Sequence, residues 1–184
     1  MGWSSNDIYY FGSIKKHMEQ YSWENEGAKT TLLDYAIVNR KTVYGAMETT
    51  YKQTGTRRVW ALVILFTFSR KEYAWKDLDE TCGPGESNCP EKILKLLTPT
   101  DSEYANAWRK RCWDHIALSK FEMREGLVLR KKGQPAIILD SKVNNDKQYW
   151  WGHREDSSRN FNVTKRWLTL HGYTTDELLF DTLL

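Results

Sequence analysis

The chain has 184 residues, 40% of them hydrophobic and 28% charged, with a formal charge of +3. That length suits one domain, or a core with a small appended module, and the composition excludes intrinsic disorder. The longest apolar run, Val59 to Phe68, falls well short of the roughly 20 residues a membrane helix needs, and the first seven residues have neither a basic start nor an apolar stretch, so the expectation is a cytoplasmic protein with no membrane role.

Nine Trp, ten Tyr and six Phe supply large areas for burial and flat faces able to stack on bases. Three cysteines form an odd set without an export signal, which points to reduced thiols rather than a disulfide framework. Charge is unevenly spread. Residues 120–170 carry eleven Lys and Arg against six Asp and Glu, while 171–184 carry three acids and no Lys or Arg. A basic module with an acidic tail is the pattern of a nucleic-acid face or a partner surface.

In chain order, Ile14, Met18 and Tyr21 follow Ser13 at helical spacing with Lys15 and Lys16 on the other side, predicting a short amphipathic helix. From Thr31 the pattern becomes β: Leu33, Tyr35 and Ile37 alternate, then Val43 to Tyr51 and Val59 to Phe68 flank the turn Gln53-Thr54-Gly55-Thr56. In the last of these, Trp60, Leu62, Ile64, Phe66 and Phe68 line one face and Ala61, Val63 and Leu65 the other, so the strand is expected to be central and covered on both sides.

Next, Pro90 suits the first turn of a helix with Ile93, Leu94, Leu96 and Leu97 facing inward. Thr100-Asp101-Ser102-Glu103 reads as a capping box for a helix running to about Leu118. Its apolar stripe is Tyr104, Ala105, Trp108, Cys112, His115 and Ile116; Arg109, Lys110 and Arg111 lie off that stripe, and Trp113 projects away from its centre.

This middle block contains Asp77-Leu78-Asp79-Glu80, Gly83-Pro84, Cys89-Pro90, Leu96-Leu97-Thr98-Pro99-Thr100-Asp101 and Trp108-Arg109-Lys110-Arg111-Cys112. On those motifs the chain resembles an uncharacterised family found in phages, mobile elements and their bacterial hosts, most clearly over residues 31–112. Gly2-Trp3 and Val43-Tyr44-Gly45-Ala46 add to the likeness. The resemblance implies a fold and a genomic setting but no activity.

Beyond Glu125 short strands return over Leu127 to Arg130, Pro135 to Ser141, Lys147 to Gly152, and Phe161 to Leu170 with a break, turning at Lys132-Gly133 and Asn144-Asn145-Asp146. They predict a small curled sheet or SH3-like barrel. The tail, with Leu178, Leu179, Phe180, Leu183 and Leu184 after a cap at Thr174 or Thr175, is expected to dock on its own chain or another. The organisation is therefore an α+β core over 1–120, a basic β module over 121–173 and an acidic tail over 174–184.

Three constellations bear on chemistry. Asp77, Asp79 and Glu80 offer hard oxygen ligands for a divalent cation, the basis of a metal-dependent nuclease or hydrolase alternative; otherwise they cap their turn and act on the helix start near Pro90. Cys82, Cys89, Cys112 and His115 sum to a Cys3His set with Cys112 and His115 on one helix face, but the Cys82–Cys89 spacing is too long for a zinc knuckle, so no metal or other cofactor is expected. His17, His153 and His171 lie in unrelated settings, and no nucleophile elbow or phosphate-binding loop is present in the sequence.

The strongest pattern is in the basic module. Lys131, Lys132, Lys142, Lys147, Arg154, Arg159, Lys165 and Arg166 are interleaved with Tyr149, Trp150, Trp151, Phe161 and Trp167, a mix that grips phosphates while stacking bases. Alternation in the Tyr-Trp-Trp run sends at least one ring inward. The expectation is a non-enzymatic binding protein acting on nucleic acid or a nucleoprotein complex. The phage or mobile-element setting that the resemblance implies would suit, for instance, a counter-defence inhibitor of CRISPR or restriction machinery, and a self-assembling structural protein is a further alternative.

Overall fold

The computed structural model describes residues 14–38, 42–66, 72–77, 85–143 and 148–175. The fold class is α+β, with two antiparallel sheets. The chain divides into two compact units, 1–116 and 117–184.

In the first unit, α1 (Ile14–Glu19) precedes a sheet of five strands in sequential order: β1 (Trp23–Glu24), β2 (Ala28–Val38), β3 (Thr42–Tyr51), β4 (Arg57–Phe66) and β5 (Glu72–Lys76). Both faces of β3 and β4 are buried, as the two apolar parities of Val59 to Phe68 require. Tyr44, Ala46, Val59, Ala61 and Val63 pack under α2 (Glu91–Leu94) and α3 (Glu103–Lys120), against Ile93, Leu94, Trp108 and Cys112. On the other face Val43, Met47, Trp60, Leu62 and Ile64 pack with Met18 of α1. Gly45 lies on that side, where a Cβ would collide with the Met18 side chain. The side chain of Phe66, and Phe68, lie outside the described residues.

Several expectations are corrected. Leu33, Tyr35 and Ile37 do not share one buried face. The register of β2 against β3 slips between Leu32 and Asp34, leaving Leu33 as an exposed bulge residue, and Ile37 is exposed too. The cap of α3 is Ser102, whose Oγ accepts from Ala105 N at 3.3 Å, while Thr100 Oγ1 accepts from Ser102 N and Arg58 Nη2 ahead of the helix. Leu96 is exposed in the turn that follows a helix only four residues long, and Tyr104 and His115 are exposed beside the buried stripe Ala105, Trp108 and Cys112. Edge strand β5 was not expected at all.

In the second unit, β6 (Val128–Lys131), β7 (Gln134–Lys142), β8 (Trp150–Arg154) and β9 (Asn160–Val163) form a meander. The register slips at Arg130 and again at Asp140, which curls the sheet. The segment expected as a broken strand to Leu170 is β9 followed by a helix, α4 (Lys165–His171). Thr164 Oγ1 accepts from Trp167 N at 3.0 Å, and Gly172 at φ +66° ends the helix in the left-handed conformation. Thr174 then pairs with Arg130 on the outer side of β6. Leu129, Ile137, Leu139, Trp150 and Val163 fill this unit's core with Phe121, Leu127, Leu168 and Tyr173. Residues 176–184, the proposed tail helix, lie outside the described residues.

Candidate nucleic-acid interface

Strand parity decides which side of the second sheet each candidate side chain occupies. Trp150 pairs with Val163 and faces the core at 5% exposure, so it is not an open stacking platform. Its neighbour Trp151 faces outward at 37%, and Tyr149, just before the strand, is 43% exposed. Gly152 returns to the inner side, where a Cβ would press on Ile137, Leu139 and the Ile138 carbonyl.

At the end of β7 and β8 the chain forms a groove of about 750 Å³. Lys142, Lys165 and Arg166 supply cations to its wall, Tyr149 an exposed ring, and Phe121, Met123 and Trp150 an apolar floor. Lys142 Nζ lies 5.6 Å from the centre of the Trp150 ring, a cation–π distance, and Lys165 Nζ donates to the Ser119 carbonyl at 3.2 Å. Lys165 and Arg166 reach this wall because α4 starts here; an extended strand would have sent them to opposite faces.

The other candidates among the described residues lie elsewhere on the unit. Arg154 and Arg159 line a second hollow of about 400 Å³ with Asp156, Ser157, Phe161 and Trp167. The Trp167 ring is already engaged within the fold, 4.4 Å from His171 and 5.2 Å from Tyr173 between centroids. Lys131 and Lys132 sit at the β6–β7 turn, with Lys131 Nζ 5.9 Å from the Tyr173 ring centre. The structure thus groups four of the ten predicted side chains, Lys142, Trp150, Lys165 and Arg166, in one groove. Lys147 lies outside the described residues.

One pairing was not anticipated. His153 Nδ1 lies 2.9 and 3.0 Å from the two carboxylate oxygens of Asp140, the residue at the β7 bulge. It was invisible in sequence because the bulge that turns Asp140 toward His153 depends on the strand register.

In the first unit, Asp77 is fully buried and does not cap the helix near Pro90. Its Oδ1 accepts from Ala61 N at 3.0 Å and its Oδ2 from Arg109 Nε at 2.7 Å, while Arg109 Nη2 makes an ion-pair contact at 2.6 Å with no hydrogen bond of its own. Arg109, expected off the buried stripe, is 12% exposed. Burial pushes the Asp77 carboxyl above its ordinary range, and the Arg109 charge opposes that shift. Asp79, Glu80 and Cys82 lie outside the described residues. Among the described residues no group of three or more His, Cys, Asp and Glu is placed to hold a metal ion. Cys89 and Cys112 are buried in one core, where burial raises both thiols, Cys112 to about 11, whereas His115 is exposed and does not share the Cys112 face. No helix among the described residues is long and apolar enough to cross a membrane.

No family model, no curated protein and no solved structure matches this chain.

Proposed function

We propose that the unit of residues 117–184 binds single-stranded nucleic acid without catalysing a reaction on it. One observation carries this reading: Lys142, Lys165 and Arg166 converge on a groove that also holds the exposed ring of Tyr149. Three cations against the single carboxylate of Glu122 leave the groove lining net positive, which suits a phosphodiester backbone, and an aromatic face beside them offers stacking to any unpaired base. A duplex hides its base faces and uses only the cations, which favours single strands as the ligand. The +5 charge of residues 120–170 adds attraction at longer range, acting on the rate of encounter.

The test is anisotropy of short labelled oligonucleotides across a salt series. Three neutralised phosphates give a slope of about −2 in log affinity against log salt, at about 0.7 per phosphate for single strands. Lys165→Glu with Arg166→Glu removes most of that slope and weakens binding. Wild-type protein that binds no oligonucleotide at low salt, or binds with no salt dependence, disproves the reading.

A further inference from the structure

Cross-strand register places a second set of side chains on the outward face of the same small sheet. Trp151 stands opposite Ser141 on one side and Asn162 on the other; His153 stands opposite Ile138 and Asn160. Directly opposed residues in an antiparallel pair have Cβ atoms about 5 Å apart, so these two rows form one continuous strip across β7, β8 and β9. Trp151, Asn160 and Asn162 are exposed. Lys142 pairs with Trp150 on the inner parity and Trp151 follows on the outer one, so the groove and the strip lie on opposite faces of the sheet and approach each other at the strand ends, where Tyr149 lines the groove.

We infer that this outward face reads the bases of the strand whose backbone lies in the groove, with Trp151 stacking on one unpaired base and Asn160, Asn162 and His153 contacting base edges. The inference rests on the nucleic-acid reading above and specifies its selectivity. A half-exposed indole on a strand, with no ring partner among the described residues, presents a stacking platform. Carboxamides each offer a donor and an acceptor, the pairing that matches a base edge, and they carry no charge that would draw them to phosphate instead.

His153 adds a directional preference. Its Nδ1 faces the Asp140 carboxylate, which only accepts, so in the neutral ring Nδ1 carries the hydrogen and Nε2 is an acceptor. Nε2 therefore favours an exocyclic amino group. Adenine and cytosine present such a group beside a ring-nitrogen acceptor, whereas the guanine amino group stands beside a ring N–H and thymine offers only its ring N3–H. The predicted ligand is an unpaired strand rich in adenine or cytosine. A basic protein surface would be repelled by the groove, which argues against a cationic protein occupant of this face.

The experiment compares labelled oligo(dA), oligo(dC), oligo(dT) and a duplex by anisotropy on the full chain. Trp151→Thr, which keeps a β-branched residue in the strand, weakens single-strand binding by about 5- to 150-fold, the equivalent of one lost stacked base, and leaves the salt slope unchanged. Trp151→Phe retains most of the affinity. Asn160→Ala with Asn162→Ala levels the preference for oligo(dA) and oligo(dC) over oligo(dT). If wild type binds with the expected salt slope but Trp151→Thr binds equally well and all three oligonucleotides bind alike, this inference is overturned and the groove reading survives. If no oligonucleotide binds, both fall. Circular dichroism of each variant confirms that the comparison is between folded proteins.

Discussion

Arg109 donates through Nε to Asp77 at 2.7 Å and through Nη1 to the Thr98 carbonyl at 2.6 Å. Those two partners complete β4 where β5 has ended: Asp77 bonds both the N–H and the carbonyl of Ala61, and Thr98 does the same for Val59. One guanidinium from α3 therefore holds in place both groups that serve as a substitute strand.

Arg109→Ala is expected to destabilise the first unit by about 3–5 kcal/mol, because it leaves a fully buried carboxylate uncompensated. Urea unfolding followed by circular dichroism measures this. A loss under about 1 kcal/mol would mean that the pair is solvated in solution and behaves like a surface salt bridge.

The pH dependence of Asp77 has a definite sign. Its folded carboxyl is raised, so the folded chain binds the proton more readily than the unfolded chain, whose value lies near 3.8. Its contribution to stability is full below that value and is lost as pH rises through the folded one. Comparing wild type with Asp77→Asn from acid to neutral pH, the difference should move against wild type as pH rises. Movement in the opposite direction would show that Arg109 outweighs desolvation.

Trp60→Ala should cost about 3–5 kcal/mol, as for other large buried aromatics. The side chain is buried against Met18 and Leu62, and its Nε1 donates to Thr49 Oγ1 at 2.9 Å, which shares a 2.8 Å bond with Thr30. A thermal melt little changed by the substitution would place the strand at the periphery.

Trp150 and Trp151 should respond oppositely. Trp150→Ala removes a core ring of the second unit and lowers its stability by about 3–5 kcal/mol, whereas Trp151→Ala leaves the melt nearly unchanged. Equal melts would refute the strand parity on which the base-reading face depends.

Thr164→Ala removes the side-chain acceptor at the start of α4 and should cost about 1 kcal/mol. Since α4 carries Lys165 and Arg166 to the groove, oligonucleotide affinity should fall with it. Thr164→Ser should restore both; a variant that loses neither would show that the helix needs no cap.

The two-faced strand Arg57–Phe66 was legible because both parities of its sequence from Val59 onward are apolar, and the long middle helix because its period persists for five turns. α4 was misread for a physical reason: Phe161, Val163 and Trp167 also satisfy a period of two, and the helix has only seven residues in which to show its own. Thr164 and Gly172 were the signals that could have settled it. Arg109 was placed off the buried face because its partner lies 32 residues away. Alternation predicted that at least one ring of Tyr149-Trp150-Trp151 turns inward, but only the pairing of Trp150 with Val163 says which. The ten candidate cations and tryptophans were grouped by composition, which carries no information on where β-turns and strand ends send them.

The Arg130–Thr174 bridge gives the small sheet a direction. With Arg130 on the outer flank of β6 engaged by its own chain, the opposite edge of the sheet among the described residues is β9, only four residues long. A peptide or a second copy of the chain could extend this sheet there, but a template that short offers few ladder bonds, so the module resists polymerising through its edge even at the concentrations where a longer, flatter strand would seed aggregation.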